Sequence, residues 1–205
     1  MIVHNVDQGS AEWFELRTGR PTASDFSKII TSKGEPSKSM TGYATLLAGE
    51  VYAGKPLDGF EGNQWTNRGK ELEPDAKAMY EFTHDCDLEQ VGFITDDLVR
   101  YGCSPDSLRD SDGMVEIKCL KAENHINAIL YYKKHKKCPT DYIQQTQGQI
   151  FIAERAWCDL VFYHPDLPLL VIRQHRDDEF IKKLQNLLAL TIQERDQILE
   201  LLKTA

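Results

Sequence analysis

The chain has 205 residues, enough for one domain with a real core, and 41% hydrophobic with 27% charged residues is ordinary for a globular protein. Five cysteines, odd in number and without a Cys-x-x-Cys pair, argue for reduced thiols and against a zinc or iron–sulfur site. A net charge of −8 argues against a broad cationic surface for nucleic acid, so any such path must be a local basic strip or depend on bound metal and neutral donors.

No apolar run approaches the length needed to span a bilayer, and Met1-Ile2-Val3-His4-Asn5 lacks the pattern of a signal peptide. The expectation is a cytoplasmic protein with no membrane attachment. Ser10 is placed to N-cap a short helix over 10–17, which Arg17-Thr18-Gly19-Arg20-Pro21 breaks. Thr22-Ala23-Ser24-Asp25 opens a second helix with a capping-box-like pattern, and Phe26, Ile29 and Ile30 form its apolar face. Arg17 and Ser24 thus lie near a helix N-terminus, a place that favours phosphate. A helix cap and a solvent-exposed arginine account for them as well and are the commoner case.

The polar stretch 31–40, with Lys33 and Lys38, reads as a loop. A helix over about 41–53, a loop to Gly62 and a longer helix over about 64–83 follow. Leu72, Ala76, Met79 and Tyr80 give the longer helix its stripe, and Glu73 lies close to it. An acid there needs a partner, either a metal or a nearby Lys or Arg. From 87 the period changes to that of strands, 88–95 and 98–103, joined at Asp96-Asp97.

A helix over about 122–134 ends in Lys133-Lys134-His135-Lys136-Lys137, the most basic run in the chain; most such runs are solvated helix ends. Pro139 introduces a helix holding Gln144, Gln145, Gln147 and Gln149, neutral amides able to hold a phosphate or a water, or simply to form a polar face. Strands at 157–164 and 169–173 precede a helix over 177–203, whose stripe runs from Phe180 to Leu202. The order predicts an α/β fold, a mixed central sheet flanked by helices.

Chemistry concentrates between Cys103 and Cys119. Ser104-Pro105-Asp106 sets one carboxylate at a turn, and Glu116-Ile117-Lys118 sets a second carboxylate and a lysine two positions apart in a strand, on one face. A turn at Asp110-Ser111-Asp112-Gly113 would carry Asp106 back beside Glu116. Two carboxylates suit a hard divalent cation, and an ammonium beside them suits an attacking water or developing phosphate charge, the pattern of a metal-dependent phosphodiesterase. A second acid-x-Lys, Asp75-Ala76-Lys77, falls in a helix, where such positions diverge. On these residues alone, a hairpin with a surface salt bridge fits equally well.

Several segments together resemble the phage lambda exonuclease family, viral alkaline exonucleases of the PD-(D/E)xK superfamily. They are, in order, Glu12-Trp13-Phe14-Glu15-Leu16-Arg17 with Thr22-Ala23-Ser24, then Gly69-Lys70-Glu71-Leu72-Glu73, then Cys103-Ser104-Pro105-Asp106 with Glu116-Ile117-Lys118-Cys119, and last Tyr142-Ile143-Gln144-Gln145-Thr146-Gln147. The resemblance covers roughly residues 10 to 160. It implies a restriction-endonuclease-like core and one exonuclease domain over 1–205.

The implied activity is a Mg²⁺-dependent 5′-to-3′ exonuclease on double-stranded DNA that leaves 3′ single-stranded tails for recombination by annealing. Alternatives are a nuclease of the same fold with other polarity or endonucleolytic habit, and an inactive DNA-binding protein. Asp106, Glu116, the Ile117 carbonyl and Glu73 would hold metal, Mg²⁺ or Mn²⁺, two ions per site. Lys118 would orient or deprotonate the attacking water. Arg17, Ser24, Ser104 and Gln145 would form a pocket for the 5′-terminal phosphate. Asp96 and Gln147 match with less specificity, Lys33 falls near a groove-contacting arginine of the family, and Trp65 falls beside the position of its strand-splitting wedge. The family also implies a homotrimeric ring, a phage single-strand annealing partner and a phage or prophage origin in a bacterial host.

Overall fold

The computed structural model describes residues 1–57 and 64–204, with the side chains of 64–67 and 70 outside that description. Trp65 is one of these, so its wedge role lies outside the described residues.

Two small sheets carry the strands. One has the order β1 (Ile2–His4), β2 (Phe93–Thr95), β3 (Gly102–Cys103), all antiparallel. The other has the order β4 (Ser107–Arg109), β5 (Gly113–Cys119), β6 (Trp157–Tyr163), β7 (Leu170–His175). Its β5–β6 pair is parallel and its outer pairs antiparallel, as the predicted mixed sheet requires. All seven residues of β6 are buried, because helices cover both of its faces.

Helix α3 (Gln64–His84) covers one face, where Ala76 and Tyr80 pack on Val115, Ile117, Val161 and Tyr163. Helices α4 (Ala122–His135) and α5 (Ile143–Ile152) lie on the other, where Ala128 and Cys138 pack with Leu160, Phe162 and Ile172. Alternation along β5 therefore sends Ile117 towards α3 and Glu116 and Lys118 towards α5.

Helix α1 (Ala11–Arg17) starts as predicted, with Ser10 Oγ accepting from the Trp13 N–H at 3.2 Å. The next segment departs from expectation. Ala23–Lys28 is a 3-10 turn, and the Thr22 hydroxyl does not cap it but bonds with Arg17, Ser24 and Asp25. Helix α2 (Met40–Ala53) packs along α6 (Asp178–Lys203), whose buried stripe runs Phe180, Ile181, Leu184, Leu187, Leu188, Thr191. The predicted stripe does not persist: Leu190 and Leu201 are exposed. The predicted strands 88–95 and 98–103 shrink to β2 and β3, since Val99 takes a positive φ and Asp96 caps the turn by accepting from Arg100 N and Nε at 2.6 and 2.7 Å.

A buried ionic network locks β4, β6, β7 and α3 together. Asp159 accepts from Arg173 Nε and Nη2, both at 2.8 Å, and from the Tyr80 hydroxyl at 2.6 Å, which in turn accepts from Arg109 Nη1 at 2.7 Å. Arg173 lies 3.7 Å from the Trp157 ring centroid. Removing Asp159 leaves the buried Tyr80 hydroxyl without its acceptor, at about 1–3 kcal/mol, while Arg173, whose side chain is 41% exposed, can turn to water. Asp159→Ala is therefore expected to lower unfolding free energy by about that amount, read as a lower urea midpoint at constant slope; a loss below about 1 kcal/mol would show the network to be dispensable.

Candidate active site

The β4–β5 register pairs Ser107 with Val115, Leu108 with Met114 and Arg109 with Gly113. Continued by one residue, it sets Asp106 opposite Glu116. The turn between the strands, with Asp110 at φ 52°, is where the sequence places Asp110-Ser111-Asp112-Gly113. The Ile117 N–H donates to Asp106 Oδ2 at 2.5 Å. In a strand the N–H and C=O of one residue lie along the same edge, so the Ile117 carbonyl is on the Asp106 side as well. The Ser-Pro-Asp turn is itself pinned: Gln8 Nε2 donates to the Pro105 carbonyl at 3.1 Å, and Trp13 Nε1 to Ser104 Oγ at 2.8 Å.

Glu116 is buried and accepts three bonds. Lys118 Nζ at 2.7 Å and Gln145 Nε2 at 2.6 Å share Oε1, and Gln149 Nε2 takes Oε2 at 2.6 Å. Lys118 also donates to Gln145 Oε1 at 3.1 Å. Burial pulls the Lys118 ammonium down, but the Glu116 charge and hydrogen bond, with Asp106 behind them, outweigh it, and the net shift is upward. Asp106 is pushed well above the usual carboxylate range by burial first, then by the charges of Glu116 and Glu73. Like charges opposite one another across two strands are destabilising unless a cation or proton joins them.

Asp106, Glu116 and the Ile117 carbonyl form an oxygen-only donor set of the kind a hard divalent cation takes, and the raised Asp106 marks the charge it would neutralise. The donors fit such an ion. Glu73 is less committed to them. Lys77 Nζ holds its Oε1 at 2.8 Å, and among the described residues no three His, Cys, Asp or Glu side chains form a ready-made metal cluster.

A second group of residues lies across the buried Cys103 thiol, which burial pushes up and on which Glu116 and Arg17 act with opposite sign. Arg17 Nη2 donates to Thr22 Oγ1 at 3.1 Å and Ser24 Oγ at 3.2 Å, and its Cζ lies 4.2 Å from the Trp13 ring centroid. Burial lowers its pKa, offset in part by Asp25. Among the described residues no carboxylate is paired with Arg17. A guanidinium half-sunk against an indole and bonded only to hydroxyls retains charge for an anion.

The backbone explains why these groups meet. Thr22 bridges to Gly102 in β3, and Gly102 N–H donates to the Pro21 carbonyl at 3.1 Å, which brings the Ser24 turn beside Cys103-Ser104. Helix α5 closes on the same turn: a Cβ at Gly148 would stand 2.4 Å from Phe26 Cδ2, so glycine permits the approach.

Of the predicted site residues, the structure thus joins Asp106, Glu116, Ile117, Lys118 and Gln145 in one group, and Arg17, Ser24 and Ser104 in another. Asp96 serves its own turn, and Lys33 is exposed at the 31–34 turn. Gln147 lies apart from both groups. Both ends of its amide bond backbone, Nε2 to the His175 carbonyl at 2.8 Å and Oε1 from the Asp177 N–H at 2.9 Å, so it clamps the β7–α6 junction. Sequence reasoning missed Trp13 as a platform and Gln149 as a Glu116 partner; the 145–149 spacing of four, one face of a helix, was the available signal for the latter.

A carboxylate pair in hairpin register, a lysine beside it and an unpaired arginine in reach are the equipment of a phosphodiester nuclease. The model of the YqaJ-like viral recombinase domain matches residues 12–156, and the chain belongs to that family. It is 32% identical to the alkaline exonuclease LHK-Exo from Laribacter hongkongensis, covering 95% of this chain and 97% of that one at a TM-score of 0.83. The complex of LHK-Exo with dAMP matches at 31% identity, 95% and 97% coverage and TM-score 0.83. A phage related exonuclease from Haemophilus somnus 129PT, at 18% identity, 89% and 96% coverage and TM-score 0.71, shares the fold. No curated protein matches the chain. The fold is therefore that of the restriction-endonuclease-like alkaline exonucleases, and the chain is a nuclease of a recombination family.

Partners that orient a metal ligand typically contribute about 10–100-fold to metal affinity or activity. Gln149→Leu, which keeps the volume but removes the donor to Glu116 Oε2, is expected to weaken divalent-metal binding by about that factor in calorimetric titration, with the melting temperature of the metal-free protein little changed. Unaltered affinity would reduce Gln149 to a packing residue.

Proposed function

We propose that the chain is a single exonuclease domain over 1–205 that degrades double-stranded DNA from the 5′ end in a Mg²⁺-dependent reaction, leaving a 3′ single-stranded tail for an annealing protein. The observation that carries the reading is the pairing of the Asp106–Glu116 register with a separate, unpaired Arg17 across Cys103. One group suits the bond to be cut, and the other suits a terminal phosphate beside it.

Asp106, Glu116 and the Ile117 carbonyl would hold Mg²⁺, or Mn²⁺, as one or two ions, with Glu73 free to join if it leaves Lys77. Bound there, the metal would supply Lewis acidity and a more acidic water. Lys118, an ammonium held against Glu116 Oε1, orients the attacking water and faces the charge that develops on the phosphate. Gln145 bridges Glu116 and Lys118, and so couples the position of the lysine to that of the carboxylate.

At the other end, Arg17, Ser24 and Ser104 offer donors to a 5′-phosphate, and the Trp13 ring keeps the guanidinium flat. That the related LHK-Exo takes dAMP, a nucleoside monophosphate, accords with a site for one phosphate and one base. Asp96 and Lys33 have no part in this reading.

The homotrimeric ring implied by the sequence resemblance belongs to the same proposal. An encircled duplex need not be held by strong charge attraction, which suits a chain of net charge −8. A phage-encoded annealing partner and action in the cytoplasm of a bacterial host complete it. Among the described residues no helix is long and apolar enough to cross a membrane.

Linear duplex labelled at the 5′ end in one sample and at the 3′ end in another, with Mg²⁺ or with EDTA, tests the reading. Early release of the 5′ label as mononucleotide, only with Mg²⁺, is expected; early 3′ release or internal cuts would remove the polarity, and no cleavage with any divalent metal the enzyme. A charge-assisted hydrogen bond contributes about 1.5–3 kcal/mol, or about 10- to 150-fold in rate. Arg17→Ala is expected to slow digestion of 5′-phosphorylated ends by that order while changing 5′-hydroxyl ends little. An equal loss on both would exclude the terminal-phosphate role.

A further inference from the structure

In a chain of net charge −8, one cationic surface is left unneutralised. Lys133, Lys134, Lys136 and Lys137 are all exposed at the C-terminal end of α4. No acid occurs between 124 and 140, and among the described residues none of the four lysines has a carboxylate within ion-pair distance. Lys136 terminates the helix in the left-handed conformation, φ 53°, its N–H donating to the Tyr132 carbonyl at 2.8 Å, so the chain turns sharply in the middle of the run. Its Nζ lies 5.7 Å from the Tyr132 ring centroid, and Tyr131 packs on His135 at 4.5 Å between centroids. The tract is thus anchored by rings rather than by acids, and its charge stays available.

Its position relative to the active site is bounded by chain length. Lys137 is five residues from Tyr142, whose ring lies 5.8 Å from Lys118 Nζ. At about 3.6 Å per residue, and with about 4 Å from the Tyr142 Cα to its ring, the Lys137 backbone lies no more than about 28 Å from the Lys118 ammonium. A strand of duplex advances about 3.4 Å per nucleotide, so that distance is spanned by about eight nucleotides. Cys138, next to Lys137, is buried among Leu160 and Phe162 of β6, which fixes the tract to the sheet that carries Glu116.

We propose that Lys133, Lys134, Lys136 and Lys137 form a docking surface for the sugar-phosphate backbone of the duplex within about one helical turn of the cleaved bond. The inference rests on the nuclease reading above and adds the surface that holds the substrate. Lysines present point charges on flexible stems without a directional fork, which suits phosphates irrespective of sequence. The same four charges are the natural source of salt-sensitive affinity in an otherwise acidic molecule.

The test is fluorescence anisotropy of a labelled duplex of about 30 base pairs, some four times the span estimated above, with the full-length protein in EDTA, over a series of KCl concentrations, for wild type, the quadruple Lys→Gln variant and the quadruple Lys→Arg variant. For every phosphate that is no longer neutralised, the slope of log affinity against log salt becomes shallower by about 0.9. The glutamine variant is expected to lose about 2–4 from that slope and roughly tenfold or more in affinity at about 100 mM salt, while the arginine variant keeps both. A glutamine variant with the wild-type slope and an unchanged melting temperature overturns the docking surface, and so does a slope that falls equally in the arginine variant. Mg²⁺-dependent cleavage by the wild type is scored separately. If the wild type cuts no DNA, the nuclease reading fails by itself; if it cuts while the slopes coincide, only the docking surface fails.

Discussion

The register of one hairpin decides the rest of this site. With Ser107 opposite Val115, Asp106 must face Glu116, and a slip of one residue would send the two carboxylates to opposite faces of the sheet. The arrangement is costly in isolation, since two facing acids repel and Asp106 is driven towards its protonated form. It persists because neighbours hold it from several sides. Ile117 N–H takes Asp106, Gln8 fixes the turn before it, and β6 buries the strand along its whole length. The strain that remains is electrostatic, the repulsion of two acids set face to face.

Around that centre the molecule uses neutral donors where a second ion pair would compete with ligand. Glu116 has one lysine and two glutamines, so only one formal charge opposes it. Arg17 has hydroxyls and an indole, and among the described residues no carboxylate lies within ion-pair distance of it, Asp25 acting from further off. The contrast with the Asp159 network is instructive. There a buried acid is matched by a bidentate arginine, a tyrosine hydroxyl and a second arginine behind it, and the charges are satisfied internally. Saturated ionic groups hold the sheet together; in the reading proposed above, the unsaturated ones face the substrate.

The metal-side geometry was legible because it is local. Ser-Pro-Asp, a four-residue turn and Glu-x-Lys lie within fifteen residues, and strand alternation alone joins the acid to the lysine. Helical phase on α5 was equally readable yet only half used. Gln145 and Gln149 share a face and both reach Glu116, whereas Gln147, two positions away, turns to the β7–α6 backbone. The Arg17 group was less legible. Its members come from α1, the 22–24 turn and the residue after β3, joined by a single bridge between Thr22 and Gly102 that no periodicity announces. The capping pattern at Thr22 misled for the same reason, because its hydroxyl is drawn to Arg17 and Asp25 by tertiary placement. Strand β1 escaped notice since three residues carry no alternation.

Charge distribution then links site to molecule. The acids that give the chain its −8 are spread along its length, while cationic groups near the hairpin are few and each has a distinct environment. Lys118 is half-buried and paired, Arg17 is half-buried without a carboxylate in ion-pair distance among the described residues, and the 133–137 run is exposed. Dielectric screening orders their reach: the half-buried ammonium acts over a few ångströms, and the exposed run within a Debye length of about 8–10 Å. The reading proposed above needs a divalent cation at the carboxylate pair, so in it the acidity of the hairpin and the nucleolytic equipment are parts of one arrangement.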